Sequence, residues 1–178
     1  MQLAYVAGGG KGRTDQILAA VAQRLRLAGL TLAGTVQFNQ VREDRPKCDM
    51  DLQVLPDGPI IRISEDRGAL ARGCIISSEA LKQTVAEVER RLDGADLMII
   101  NKFGKREAEG RGLRPIIGEA LLRGIPVIVG VNALNLDAFL TFSEGSATAL
   151  GSDTEEILSW IQSLNIQGGD NRLAFAQT

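Results

Sequence analysis

Leu3-Ala4-Tyr5-Val6-Ala7-Gly8-Gly9-Gly10-Lys11-Gly12-Arg13-Thr14 is the stretch that decides the fold: a short apolar run is stopped by glycines. Beyond Thr14, apolar residues recur at Ile17, Leu18, Val21, Leu25 and Ala28. The first part has strand character and the second the period of a helix over residues 14–28, so the order is strand, glycine loop, helix. Glycines at such a junction let successive backbone N–H groups converge on phosphate oxygens, and the helix N-terminus adds roughly half a positive charge. Against the pattern G-x-x-x-x-G-K-[ST], the chain offers Ala7, then Gly12, Arg13 and Thr14, with Ala in place of the first Gly and Arg in place of Lys. Gly8, Gly9, Gly10, Lys11, Gly12, Arg13 and Thr14 are therefore candidate nucleotide- or oxyanion-binding residues, against the plainer reading of a structural turn. Arg13 keeps the charge as a planar fork, and Lys11 is a candidate substitute from within the loop. Thr14 suits either a magnesium ion accompanying a nucleotide or the capping of its own helix. The dinucleotide fingerprint G-x-G-x-x-G fails, because its third glycine falls on Arg13 or Asp15.

Outward from this unit, Gly29 closes the helix and residues 32–38 read as a second buried strand, completing a βαβ unit. Residues 39–73 form an insertion in which residues 48–55, a turn at Pro56-Asp57-Gly58 and residues 60–63 resemble a β-hairpin. Ser77 or Ser78 caps a helix to about residue 92, and residues 95–101 make an apolar strand. A helix over 113–123, a strand over 125–131, a short helix over 136–142 and an edge strand over 147–150 follow. Asp153-Thr154-Glu155-Glu156 opens a last helix to about residue 164. The expected architecture is α/β: a mainly parallel sheet flanked by helices, one domain over residues 1–167 and a flexible tail over 168–178. Ligands then bind beyond the carboxyl ends of the strands, which singles out residues 7–14 and 101–112.

Composition narrows the chemistry. The 178 residues are 44% hydrophobic with 4% aromatic, which suits a helix-covered parallel sheet. A net charge of −2 gives no overall basic field for nucleic acid or an anionic membrane. The absence of His removes imidazole acid/base chemistry and His-ligated zinc. Two cysteines make no disulfide scaffold, and no apolar run is long enough to span a membrane. The expectation is a cytoplasmic protein whose small size and acidic balance are compatible with a homodimer.

The second loop reads Asn101-Lys102-Phe103-Gly104-Lys105-Arg106-Glu107-Ala108-Glu109-Gly110-Arg111-Gly112, dense in charge at a strand's end, where chemistry or merely a solvated loop would sit. Together the two loops resemble the nucleoside-triphosphatase family of small P-loop proteins known from thermophiles and as a cancer-related human enzyme. That family has a glycine P-loop, a hairpin of the type seen here and a strand ending in Asp-Glu-Ile-Gly-Lys-Met-Glu. Gly104, Lys105 and Glu107 match, whereas Asn101 replaces the Asp implied in magnesium binding and Lys102 the Glu implied in activating water. The resemblance thus implies slow or absent hydrolysis.

The chain is also similar to a bacterial family of the same fold that combines C-D-M-x-L, S-x-D-R-G, R-G-C and N-K-F-G-K-x-E-A-E-G-R-G. Here these are Cys48-Asp49-Met50-Asp51-Leu52, Ser64-Glu65-Asp66-Arg67-Gly68, Arg72-Gly73-Cys74 and residues 101–112. Its members are often labelled nucleoside-triphosphatase-like or molybdenum-transport associated, which implies a link to molybdate or tungstate handling. Arg67, Arg72, Lys102, Lys105, Arg106 and Arg111 suggest an oxyanion pocket for tetrahedral anions such as phosphate, molybdate or tungstate.

Three functional readings follow. The first is a degenerate P-loop protein binding nucleotide or another oxyanion, with Asn101, Lys105 and Arg111 as further binding residues and residues 101–112 as sensor or lid. In the second, an active nucleoside triphosphatase, Lys102 and Glu107 are the catalytic candidates, and Glu107 or Glu109 replaces the missing carboxylate. The third is a metal- or redox-responsive module built on Cys48 and Cys74, whose plainer reading is two small buried side chains.

Overall fold

The computed structural model describes residues 2–8, 10–40, 49–65, 75–164 and 166. In chain order the elements are β1 (Leu3–Ala7), α1 (Gly10–Leu27), β2 (Leu32–Gln40), β3 (Asp49–Val54), β4 (Ile60–Arg62), β5 (Ser64–Glu65), β6 (Ile75–Ile76) and α2 (Ser78–Glu89). They continue as β7 (Leu97–Phe103), α3 (Lys105–Ala108), α4 (Arg114–Leu122), β8 (Val127–Val131), α5 (Leu136–Phe142), β9 (Thr148–Leu150) and α6 (Thr154–Ser163). The expected elements are all present, with two shifts that matter for the site. The first helix starts at Gly10 rather than Thr14, and the strand expected to stop at Asn101 runs on to Phe103. The periodic apolar signal of α1 begins at Ile17 because its first turn faces the ligand edge instead of the core, so hydrophobic spacing could not mark where the helix starts.

One seven-stranded sheet has the order β4-β3-β2-β7-β8-β1-β9. The pairs from β2 through β7, β8 and β1 to β9 are parallel, while β3 is antiparallel to both β2 and β4. The hairpin reading of the insertion is correct, with Leu52 opposite Ile61. Arg62 closes the hairpin by ion pairs to Asp51 (Nε to Oδ1, 2.9 Å) and Asp49 (3.0 Å).

Alternation along β7 builds a core on each face. Leu97 and Ile99 join Leu18, Val21 and Leu25 of α1 and Ile157 and Ile161 of α6. Met98 and Ile100 join Val88 of α2, Ile117 of α4 and Phe139 of α5 on the other side. A sheet covered on both faces needs strands that are apolar throughout, which is why β7 and β8 read as continuous runs rather than alternating ones. Ser77 caps α2 by accepting from the Ala80 amide, and Asp153 caps α6 by accepting from the amides of Glu155 and Glu156.

Phe139 anchors α5 beneath the sheet's carboxyl edge. Its ring centroid lies 5.2 Å from that of Tyr5 on β1 and 5.3 Å from that of Phe103 on β7. These contacts fix the segment that enters α5 from β8, and that segment borders the site described below. Among the described residues, no helix is long and apolar enough to cross a membrane. Because Phe139 is fully buried, Phe139→Ala is expected to lower stability by about 3–5 kcal/mol, read from the urea unfolding midpoint.

Candidate functional site

Three chain segments meet at the carboxyl ends of β1, β7 and β8. From β1 the chain turns at Gly8 and enters α1, where Gly12 has φ +84° and interrupts the first turn. The Gly8 carbonyl accepts from the Thr14 hydroxyl at 3.3 Å and from the Ser152 hydroxyl, on the loop into α6, at 3.2 Å. The glycine loop is thus closed on itself and tied to the far edge of the sheet.

At the end of β7, Asn101 is buried within the sheet and Lys102 is exposed, at a register shift between Ile100 and Phe103. The backbone N–H of Gln37 on β2 donates to Asn101 Oδ1 at 3.1 Å. A backbone N–H can only donate, so this bond fixes which way the amide faces. Asn101 Nδ2 therefore points at the helix and donates to Asp15 Oδ1 at 2.9 Å. The other oxygen of Asp15 accepts from Asn39 Nδ2 at 3.0 Å, and Asn39 Oδ1 accepts from Gln37 Nε2 at 2.8 Å. Gln37, Asn39 and Asn101 thereby hold the carboxylate that follows Thr14.

Close packing brings β8 under this cluster. A Cβ on Gly130 would lie 2.1 Å from the Asn101 carbonyl oxygen and 3.0 Å from Thr14 Cγ2, so only glycine fits. Beyond it, Asn132 Oδ1 accepts from the Asn135 amide at 3.0 Å and shapes the turn into α5. The result is a cavity of about 400 Å³ lined by Gly8, Gly12, Thr14, Asp15, Asn101, Lys102 and residues 130–133.

Several candidates therefore converge: Gly8, Gly12, Thr14, Asn101 and Lys102. Sequence reasoning missed Asp15 and Asn132. Asp15 directly follows the loop pattern, and Asn132 directly follows a strand at the ligand edge, but neither position belongs to the motif that was matched. Other candidates lie apart. Glu107 is buried outside the cavity lining: Oε2 accepts from the Gly104 amide at 3.0 Å and Oε1 from the Leu113 amide at 3.1 Å. Its carboxylate closes its own loop.

Glu109, the other acid considered for the missing carboxylate, pairs with Arg111 and lies 3.9 Å from Lys105 Nζ. Arg106 donates to the Ser78 hydroxyl at 2.8 Å. Lys105, Arg106 and Arg111 are absent from the cavity lining, and each has a nearer partner, Glu109 for Lys105 and Arg111 and Ser78 for Arg106. Arg13 is exposed at the loop. Gly9, Cys48, Cys74, Arg67 and Arg72 lie outside the described residues, as do the side chains of Gly10 and Lys11.

Magnesium in such a site needs oxygen donors, ordinarily the loop hydroxyl and a strand carboxylate. Thr14 supplies the hydroxyl, but Asn101 presents N–H rather than a lone pair to the helix, and both Asp15 oxygens already accept amide hydrogens. The described residues therefore lack, at the end of β7, the strand carboxylate that ordinarily helps hold magnesium in such a site.

The family described as "Protein of unknown function (DUF2478)" matches over residues 3–160. The molybdenum import ATP-binding protein ModC 2 of Bradyrhizobium diazoefficiens is 35% identical over 149 residues, which is 82% of this chain. The match spans 16% of that relative's length. The solution structure of a human cancer-related nucleoside triphosphatase superposes with TM-score 0.60 at 13% identity, over 96% of this chain and 100% of that one. The crystal structure of THEP1 from the hyperthermophile Aquifex aeolicus gives TM-score 0.61 at 12% identity, over 92% and 96% respectively. These likenesses establish a fold of the P-loop nucleoside-triphosphatase type.

Glu107→Gln keeps one acceptor but turns an N–H toward the other buried amide, and is expected to cost about 1–3 kcal/mol in urea unfolding. Gly112 sits at φ +63°, where a Cβ would lie 2.1 Å from Glu107 Oε1. Gly112→Ala is expected to destabilise the same loop by at least about 1 kcal/mol, checked by the same measurement.

Proposed function

The chain belongs to the DUF2478 family, and we propose that it binds a nucleotide through its glycine loop while hydrolysing it slowly or not at all. The observation that carries this reading is the cavity where the loop meets Asn101, Lys102 and Asn132. Gly8 and Gly12 shape its backbone, the start of α1 directs partial positive charge into it, and Lys102 adds a full one. Phosphate is the chemistry this combination suits.

Turnover needs more than binding. Phosphoryl transfer to water requires a group that orients the attacking water and compensation for charge on the transferring phosphoryl group. The strand end carries an amide and an ammonium where carboxylates would serve the first need, and Asp15, the one carboxylate lining the cavity among the described residues, is hydrogen-bonded on both oxygens. Lys102 can neutralise phosphate but cannot take a proton from water while it is charged. Such a site favours holding the ligand over cleaving it.

The biological setting of this proposal is molybdate or tungstate handling, supported by the relative named as a molybdenum import ATP-binding protein. Nucleotide binding then acts as a signal or a control, in the cytoplasm where nucleotides are available.

Isothermal titration with ATP, GTP, molybdate and tungstate tests the proposal. Nucleotide binding is expected, and Lys102→Ala should weaken it roughly 10- to 100-fold, as loss of one charge-assisted contact implies. Phosphate release at the background rate is the companion expectation. A titration with no heat from any nucleotide, or multiple turnovers by wild type, would overturn the respective half of the reading.

A further inference from the structure

In the ordinary form of this loop a magnesium ion joins two parts of the protein, the hydroxyl at the start of the helix and a carboxylate on the neighbouring strand. Here those parts touch directly, because Asn101 on β7 donates to Asp15 on α1, the residue after Thr14. Resting on the nucleotide-binding reading, we infer that the phosphate site works without a divalent cation, with the Asp15–Asn101 hydrogen bond holding α1 to β7 where the metal otherwise would.

Three observations support this. First, the orientation of Asn101 is set from behind by the Gln37 backbone N–H, so its oxygen faces the sheet and its Nδ2 donates to Asp15 on the helix at 2.9 Å and to Gln37 Oε1 at 3.4 Å. An N–H directed at this position repels a cation instead of ligating it. Rotating the amide to offer oxygen would set Nδ2 against a backbone donor and leave the Asp15 carboxylate without that partner.

Second, the Asp15 carboxylate accepts from two different strands, Asn39 on β2 and Asn101 on β7. Its negative charge is thereby met by amide dipoles of the protein. Both contacts are made by side chains of the protein itself. Third, Lys102 lines the same cavity, so the protein carries a positive charge of its own there.

The test is equilibrium titration of the full chain with ATP, in excess magnesium and in EDTA. Wild type is expected to bind ATP in EDTA as tightly as in magnesium, within about threefold, or more tightly. The double variant Asp15→Asn with Asn101→Asp keeps an amide–carboxylate pair between the same positions but moves the carboxylate to the strand. It is expected to gain at least about tenfold in affinity when magnesium is added. A folded double variant blind to magnesium overturns the assignment of the effect to this pair.

Asp15→Asn alone gives a second measurement that does not depend on the double variant folding. Its affinities in the two buffers should again agree within about threefold, whereas a loss of about tenfold or more seen only in magnesium identifies Asp15 as a metal ligand and overturns the inference. Wild-type affinity that rises about tenfold or more with magnesium overturns the inference but leaves the nucleotide reading intact. No ATP binding in either buffer overturns both.

Discussion

A polar side chain buried at the centre of a sheet has to meet its hydrogen bonds inside the protein, and Asn101 meets them in a way that organises everything around it. Its oxygen takes the Gln37 amide of β2, and its nitrogen reaches Asp15 on α1. One residue thus connects β2, β7 and the first helix. Through the carboxylate it also reaches Asn39, so the glycine loop rests on a network of side chains from two strands. Networks of this kind rigidify a site because each partner is costly to leave unpaired.

The strand order places this network where a ligand can use it. β8 separates β7 from β1, so the P-loop and Asn101 stand two strands apart, with Gly130 between them. The gap is what opens a cavity over β8 and brings Asn132 to its wall. Had β1 and β7 been adjacent, the loop would have closed directly onto Asn101. The aromatic cluster of Tyr5, Phe103 and Phe139 holds this edge from the opposite face of the sheet, joining β1, β7 and α5.

Charge has been distributed in two different ways on the two sides of Phe103. Before it, Lys102 lines the cavity. After it, the charged loop folds back on itself: Glu107 binds two backbone amides, and Glu109 draws Lys105 and Arg111 to its own side. The same stretch therefore supplies one cavity-lining cation and a self-contained structural turn. Exposed ion pairs of the second type contribute little to stability, so the loop's rigidity rests on Glu107 and on the small Gly112 that makes room for it.

The sequence alone determined the class of fold and the position of the phosphate loop. Apolar runs stopped by glycine, the helical period from Ile17 to Ala28 and the continuous strands 95–101 and 125–131 are local signals, and they follow from covering a parallel sheet on both faces. Through the family resemblance it also raised the expectation that Asn101 and Lys102 stand where carboxylates would be, because residue type at a place in a motif is a local matter. Tertiary structure decided which polar groups meet. Asp15 and Asn101 are 86 positions apart, and no pattern along the chain states that one accepts from the other. Glu107 and Lys102 looked alike as charged residues of one loop, yet one is buried against amides and the other faces the cavity. Hydrophobic periodicity is set by each element separately, whereas a hydrogen bond between strands and helix depends on strand order, register and side-chain direction together, which only the folded chain fixes.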